Sequence, residues 1–289
     1  MPEPAYEQAA ILGTGRVARA FALALAPLSR RPPLIHGRTQ GHVEEVLALC
    51  PAGRRAPDLR TVAAEADLIL LAISDDALGE VVEALAQARP FAETPLIFHV
   101  SGQSGDALLA PLRAAGAMTA AIHPVMTFTG APAQEVDRMI GARFAITAIA
   151  EKALAHARRL VEQLGGQPVV IAESDRALYH GALCHAANHL VTLLAGASDA
   201  LSLAGVAEPQ ALLAPLVRAA LENSLTKGFG ALSGPLLRGD EGTIRDHLRA
   251  FEARSPDLLP AYRAMALATL DRLEKEREAS PTLRALLGS

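Results

Sequence analysis

Ten residues near the start, Ala9-Ala-Ile-Leu-Gly13-Thr14-Gly15-Arg16-Val17-Ala18, constrain this chain more than any other stretch. An apolar run breaks at two glycines one residue apart and resumes as a helical pattern through Leu25. Strand, tight turn and helix in that order are the setting in which G-x-G-x-x-[G/A] holds a dinucleotide. Gly13 permits the turn, Gly15 lets backbone approach a pyrophosphate, and Ala18 keeps the helix close to the strand. The helix start, from Thr14 through Arg16 and Val17, offers free N–H groups and a positive dipole end to phosphate.

The residue that reads the ribose is expected about twenty positions on, and an Asp or Glu there marks NAD. This sequence has His36-Gly37-Arg38-Thr39, with no acid beside them. Arg38 could clamp a 2′-phosphate through its planar fork, with Thr39 adding a hydroxyl. A solvated arginine after a strand is the alternative. The expected cofactor is NADP(H), ahead of NAD(H). Arg54, Arg55 and Arg60 either assist or are exposed loop residues.

Short aliphatic runs alternate with Ala-rich helical stretches as far as Ile171. The predicted strands are Ala9–Leu12, Pro33–His36, Leu68–Ile73, Leu96–Val100, Ala120–His123, Phe144–Thr147 and Val169–Ile171. Helices are predicted at Val17–Leu25, Val43–Leu49, Leu78–Ala88 and Ala153–Leu164. Such alternation predicts an α/β fold, a Rossmann-type doubly wound, mostly parallel sheet covered on both faces. After Ser174 the strand signals stop, and Arg176–Leu203, Ala211–Lys227, Thr243–Phe251 and Leu258–Glu276 read as helices. The expectation is a Rossmann domain over 1–173 and an all-α domain over 174–289.

The chemistry-bearing side chains cluster at strand ends. Leu68–Ile73 leads into Ser74-Asp75, where cofactor and substrate meet in such sheets, although Asp75 could instead cap the following helix. Leu96–Val100 leads into Ser101-Gly102, and Ala120–His123 ends at Pro124. His123 is a candidate proton donor because imidazole titrates near neutral pH; a buried histidine bonded to a loop is the other reading. Ser101 could donate to substrate or to the nicotinamide carboxamide, or serve only the turn. On the first helix of the second domain, His180, Cys184 and Asn188 recur every four residues and share a face. Asn188 either donates to a ligand or closes an interhelical bond. The candidate catalytic set is His123, Ser101 and Asn188, with His180 as a weaker substrate contact. His185 and His189 have ligand spacing but lack a third ligand, so no metal is expected. Ser101 lacks the G-x-S-x-G elbow of a hydrolase.

The glycine turn, His99-Val-Ser101-Gly102, Ile122-His123-Pro124, Tyr179-His180, Asn188 and Gly234-Pro-Leu-Leu-Arg238-Gly239-Asp240 with Thr243-Ile-Arg-Asp-His247-Leu occur together. In these the chain resembles Rossmann-like proteins with a C-terminal helical domain of the domain of unknown function 2520 type. In architecture that group is similar to pyrroline-carboxylate reductases, ketopantoate reductases and prephenate dehydrogenases, with a 6-phosphogluconate dehydrogenase C-terminal-like helical domain. The resemblance implies an NADP-dependent oxidoreductase acting on a small anionic metabolite, a keto or hydroxy acid or an imine. It also implies a homodimer through the helical domain. Arg238 could draw in an anionic group; its segment could equally be a helix–helix loop capped by Asp240 or Thr243. Hydroxyacid dehydrogenases and ketopantoate reductases carry a catalytic lysine on the first C-terminal helix. Here the position four before Asn188 is Cys184, which keeps open a second reading, an inactive nucleotide-binding sensor or scaffold.

Composition removes other classes. The net charge is -4 and no Lys/Arg-rich run occurs, so nucleic acid is not an expected partner. No apolar stretch is long and uninterrupted enough for a membrane span. Cys50 and Cys184 cannot build a disulfide framework, and the first residues lack a signal-peptide pattern. A soluble cytoplasmic protein is expected.

Overall fold

The computed structural model describes residues 5–275 and 281–288. The chain forms two compact units, one running to Ala182 and one beginning at Leu183.

In the first unit the aliphatic runs become β1 (Ala9–Leu12), β2 (Leu34–His36), β3 (Arg54–Arg55), β4 (Leu68–Leu71), β5 (Leu96–His99), β6 (Met118–Pro124), β7 (Arg143–Thr147) and β8 (Gln167–Val170). They form one sheet in the order β3-β2-β1-β4-β5-β6-β7-β8. Neighbours run parallel except β6 and β7, which are antiparallel. From β1 the chain first builds outward through β2 and β3, then returns to build the other way from β4. Leu12 pairs with His36 on one side and Leu71 on the other, so these strands end level. A crevice opens at such a switch point, above the carboxyl ends of the strands.

Every residue of β1 and β4 is buried, as strands covered on both faces require. Ala18, Phe21 and Leu25 of the Arg16–Leu25 helix join Leu160 and Val161 in the core on one face. Val62, Leu78, Val82 and Leu85 belong to the core on the other. Burying each large side chain of this kind contributes about 1.5–3 kcal/mol. Phe21 and Phe98 meet edge to face, ring centroids 6.3 Å apart.

The second unit contains helices, with a core of Ile244, Leu248, Leu270, Leu283 and Leu287. No helix among the described residues is long and apolar enough to cross a membrane.

The Ala9–Leu12 strand and the Arg176–Leu203 helix have their expected bounds. The Gln40–Leu49, Glu151–Gln163, Pro209–Lys227 and Glu241–Arg254 helices begin two or three residues earlier than apolar spacing suggested, because polar residues, glycines or, in one case, Pro209 open them and carry no apolar signal. The last predicted helix forms at Leu259–Leu273; Glu276 lies outside the described residues. The two-residue strand β3 and the helices Leu59–Glu65, Ala110–Ala114, Pro132–Met139, Pro235–Arg238 and Pro281–Gly288 were not expected. Asp75 does not cap its helix. The helix spans Asp75–Gln87 with Ser74 at the capping position, which places Asp75 in the first turn.

Candidate functional site

Gly13 sits at the end of β1 with φ +127°, a conformation that side chains disfavour. A Cβ there would lie 2.0 Å from the Ala72 carbonyl oxygen, so the turn packs directly on the chain leaving β4. Its N–H donates to the His36 carbonyl at 2.9 Å. Gly15 differs. It occupies the capping position of the Arg16–Leu25 helix, no side chain caps it, and an added Cβ would meet nothing within 4 Å. Open space thus stands over an uncapped helix start, whose first N–H groups have no partner within the helix. Ala18 is wholly buried, which lets helix and strand approach.

Around this turn lies a cleft of ≈ 880 Å³. Gly13, Thr14, Gly15, Arg16, Val17, Arg38, Thr39, Ser74 and Asp75 all line it, and so does Ser101. Arg38, Thr39 and His42 lie at the β2 end, while Val100, Ser101 and Phe128 follow β5 and β6. Thr39 stands at the capping position of the Gln40–Leu49 helix without capping it. The glycine cradle, the uncapped helix start and the Arg38–Thr39 donors fit the diphosphate and 2′-phosphate of NADP(H).

Behind Ser101 is a polar cluster of the first unit. His99 is wholly buried, and its Nδ1 accepts the Ser101 N–H at 3.2 Å. The ring proton is therefore on Nε2, which donates to the Gly105 carbonyl at 3.0 Å. One neutral tautomer thereby closes the 101–105 loop. The Ser101 hydroxyl accepts the Ser104 N–H at 3.1 Å, leaving its own proton for a second partner. Ser101 thus closes the turn and also reaches the cleft.

His123, half-buried at the end of β6, shares a 2.8 Å hydrogen bond between Nδ1 and the Tyr179 hydroxyl. His180 packs edge-on against His123, ring centroids 6.1 Å apart. Gly102 fits between them; a Cβ there would lie 2.5 Å from His180 Cδ2 and 3.0 Å from His123 Nε2. Arg176 is buried beneath the pair. Its Nε donates to Thr147 Oγ1 at 2.8 Å, and its terminal nitrogens donate to the carbonyls of Ala121 (3.1 Å), Ala145 (3.2 Å) and Gly102 (3.4 Å). The guanidinium also lies 5.8 Å from the Tyr179 ring centroid.

Burial holds both histidines neutral, and the Arg176 charge adds to the effect; His99 and His123 are each pushed down to about 4. An unfolded chain takes these protons near the ordinary value of about 6.5. Between that value and about 4 the unfolded state binds more protons, so stability falls as pH falls through this window. Going from about pH 7 to about pH 5 should cost about 2 kcal/mol per histidine. Urea midpoints measured across that range test this, and a flat profile would refute it.

The segment after β6 is also ordered by a buried carboxylate. Glu135, in the Pro132–Met139 helix, accepts at Oε1 from the N–H groups of Thr129 (2.6 Å), Gly130 (2.8 Å) and Ala131 (3.3 Å).

Asn188 and Arg238 belong to the second unit and are exposed. Asp240 caps the Glu241–Arg254 helix, accepting the Thr243 N–H at 3.0 Å, and those bonds to Thr243 hold its carboxyl below the usual range. This is the capping reading of that segment. His185 and His189 approach to 3.1 Å between Nδ1 atoms, and no group of three metal-ligating side chains occurs among the described residues. Sequence reasoning missed His99, Arg176, Phe128 and Glu135 as organisers of this region. Only Pro132 at a helix start followed by Glu135 could have flagged the last of them.

Residues 3–124 match the family model of a Rossmann-like domain, and residues 142–269 match that of a domain of unknown function, DUF2520. No curated protein matches the sequence. Among solved structures, a candidate NADP oxidoreductase from Bacteroides fragilis is 20% identical with a TM-score of 0.75, over 91% of this chain and 97% of that one. A reductive aminase from Aspergillus terreus, in complex with NADPH and ethyl-5-oxohexanoate, is 17% identical with a TM-score of 0.67, over 98% of each chain. An imine reductase from Myxococcus stipitatus, in complex with NADP+, is 15% identical with a TM-score of 0.69, over 98% of this chain and all of that one. At these identities the likeness is one of fold.

Proposed function

For a chain that carries a Rossmann-like domain ahead of a DUF2520 domain, we propose an NADP(H)-dependent oxidoreductase acting on a C=O or C=N group of a small metabolite, in the cytoplasm. One observation carries this reading. A single cleft joins the open cradle over Gly15, the Arg38–Thr39 pair at one end and the Ser101 hydroxyl at the other. The NADPH and NADP+ complexes of the reductive aminase and the imine reductase support it. The cofactor supplies hydride when bound. The chain supplies the rest: backbone N–H groups for the diphosphate, Arg38 for the 2′-phosphate, and Ser101 as a donor at the reacting end. Neutral His123, coupled to Tyr179, can hold or pass a proton.

Titration with NADPH and NADH tests the cofactor. Arg38→Ala is expected to weaken NADPH about ten- to a hundredfold, the worth of charge-assisted bonds to phosphate, and to leave NADH nearly unchanged. Equal losses would remove the 2′-phosphate role; no binding of either nucleotide by the wild type would end the reading. NADPH consumption across a panel of keto acids and imines then tests the chemistry, and turnover is expected to collapse in His123→Ala.

A homodimer through the helical unit belongs to the same proposal. The Arg176–Leu203 and Pro209–Lys227 helices expose Val191, Leu212, Leu216, Leu221 and Leu225, large apolar side chains of the kind that cover an interface. A sedimentation mass of one chain would reject it.

A further inference from the structure

We infer that Phe128, which precedes a segment bonded to Glu135, forms the aromatic wall of the nicotinamide subsite. The inference rests on the cofactor reading of the cleft.

The strand order orients the cleft. β1 lies in the middle, β2 and β3 on one side, and β4, β5 and β6 on the other. A dinucleotide laid across the switch point sets its diphosphate on the turn after β1. Arg38 and Thr39 follow β2, so the adenosine half lies over that side. The nicotinamide half then lies over the ends of β4, β5 and β6, where Ser74, Val100, Ser101 and Phe128 line the cleft. Phe128 is the aromatic residue of that lining, and it packs on the main core while its remaining surface faces the cleft.

A loop phenylalanine could move away with its backbone, but here the backbone that follows it is held. The three N–H groups immediately after it, those of Thr129, Gly130 and Ala131, all converge on Glu135 Oε1, and Glu135 is wholly buried. The helix bearing Glu135 packs against the Arg16–Leu25 helix that begins at the glycine turn. Gly130 also lies beside Arg16, since a Cβ there would stand 3.9 Å from Arg16 Nε. The Phe128 segment is therefore registered against the diphosphate cradle, and a ring bound on the far side of that cradle meets a fixed aromatic face. Offset or edge contact between two rings contributes beyond the area buried.

The test compares NADPH with 2′,5′-ADP, which carries the phosphate-bearing adenosine half and no nicotinamide. Phe128→Leu keeps the apolar packing and removes the ring. It is expected to weaken NADPH about fivefold, leaving 2′,5′-ADP affinity unchanged. Phe128→Tyr, which restores an aromatic face, is expected to regain wild-type NADPH affinity. Nicotinamide fluorescence on binding gives a second readout, with the Leu variant losing the change seen in the wild type. Unchanged affinity for both ligands, or equal losses for both, would overturn the inference. Failure of the wild type to bind 2′,5′-ADP at all would instead overturn the cofactor reading beneath it.

Discussion

Arg176→Met is expected to lower the stability of the first unit by about 4 kcal/mol. Replacing a buried ion pair by apolar side chains is often neutral, because both charges leave together. Here only one side of the interaction leaves. The carbonyls of Ala121, Ala145 and Gly102 and the Thr147 hydroxyl would keep their places and lose the guanidinium. Each buried acceptor left without its donor costs about 1–3 kcal/mol, and relaxation recovers part of the sum. These bonds tie β6, β7 and the 101–105 loop to one side chain. The His123–Tyr179 geometry should therefore loosen as well. Urea unfolding measures the loss, and a change under about 1 kcal/mol would show that water or repacking replaces the guanidinium.

The second large effect separates the two glycines of the turn. Gly13→Ala is expected to destabilise the fold by more than about 3 kcal/mol, since it adds a strained φ to an unavoidable backbone overlap. The overlap is with the Ala72 carbonyl, which cannot rotate away as a side-chain tip could. Gly15→Val should fold normally, because its side chain enters open space. That space is where the diphosphate is proposed to sit, so NADPH affinity should fall at least about a hundredfold, equivalent to about 2.7 kcal/mol. Thermal unfolding together with nucleotide titration distinguishes them. Normal NADPH affinity in Gly15→Val would place the phosphates elsewhere.

The parts legible in the sequence share one property, a periodic signal longer than a turn. β1 and the Arg176–Leu203 helix have the bounds their apolar residues gave them, because nothing else competes at those positions. β3 is two arginines that pair with Leu34 and Ile35, and no propensity marks such a strand. The Pro132–Met139 helix is short and polar, so it carries little hydrophobic signal. Asp75 has a capping residue's chemistry, yet Ser74 already holds the capping position. The residues that line the cleft around the glycine turn could be picked out because such a turn is local. The role of Arg176 could not, since it depends on carbonyls from two strands and a loop, far apart in the chain; His99 bonds within the loop after its own strand, and only its burial marks it. A buried arginine looks the same in sequence as an exposed one.

Gly37 ties the β2 end of the nucleotide cleft to the glycine turn. A Cβ at this position would lie 2.7 Å from Thr14 Cγ2 and 3.1 Å from Val43 Cγ2, so the chain leaving β2 is already in van der Waals contact with the glycine turn. The contact acts as a ruler, and because it is made against the side-chain methyls of Thr14 and Val43, its length can be tuned there. Conversion of this cleft to NAD(H) through the side chains at 38 and 39 would leave the distance between ribose and diphosphate as it stands, while substitution at Thr14 or Val43 would move it. A mimetic cofactor with a longer or shorter bridge would engage one subsite and miss the other.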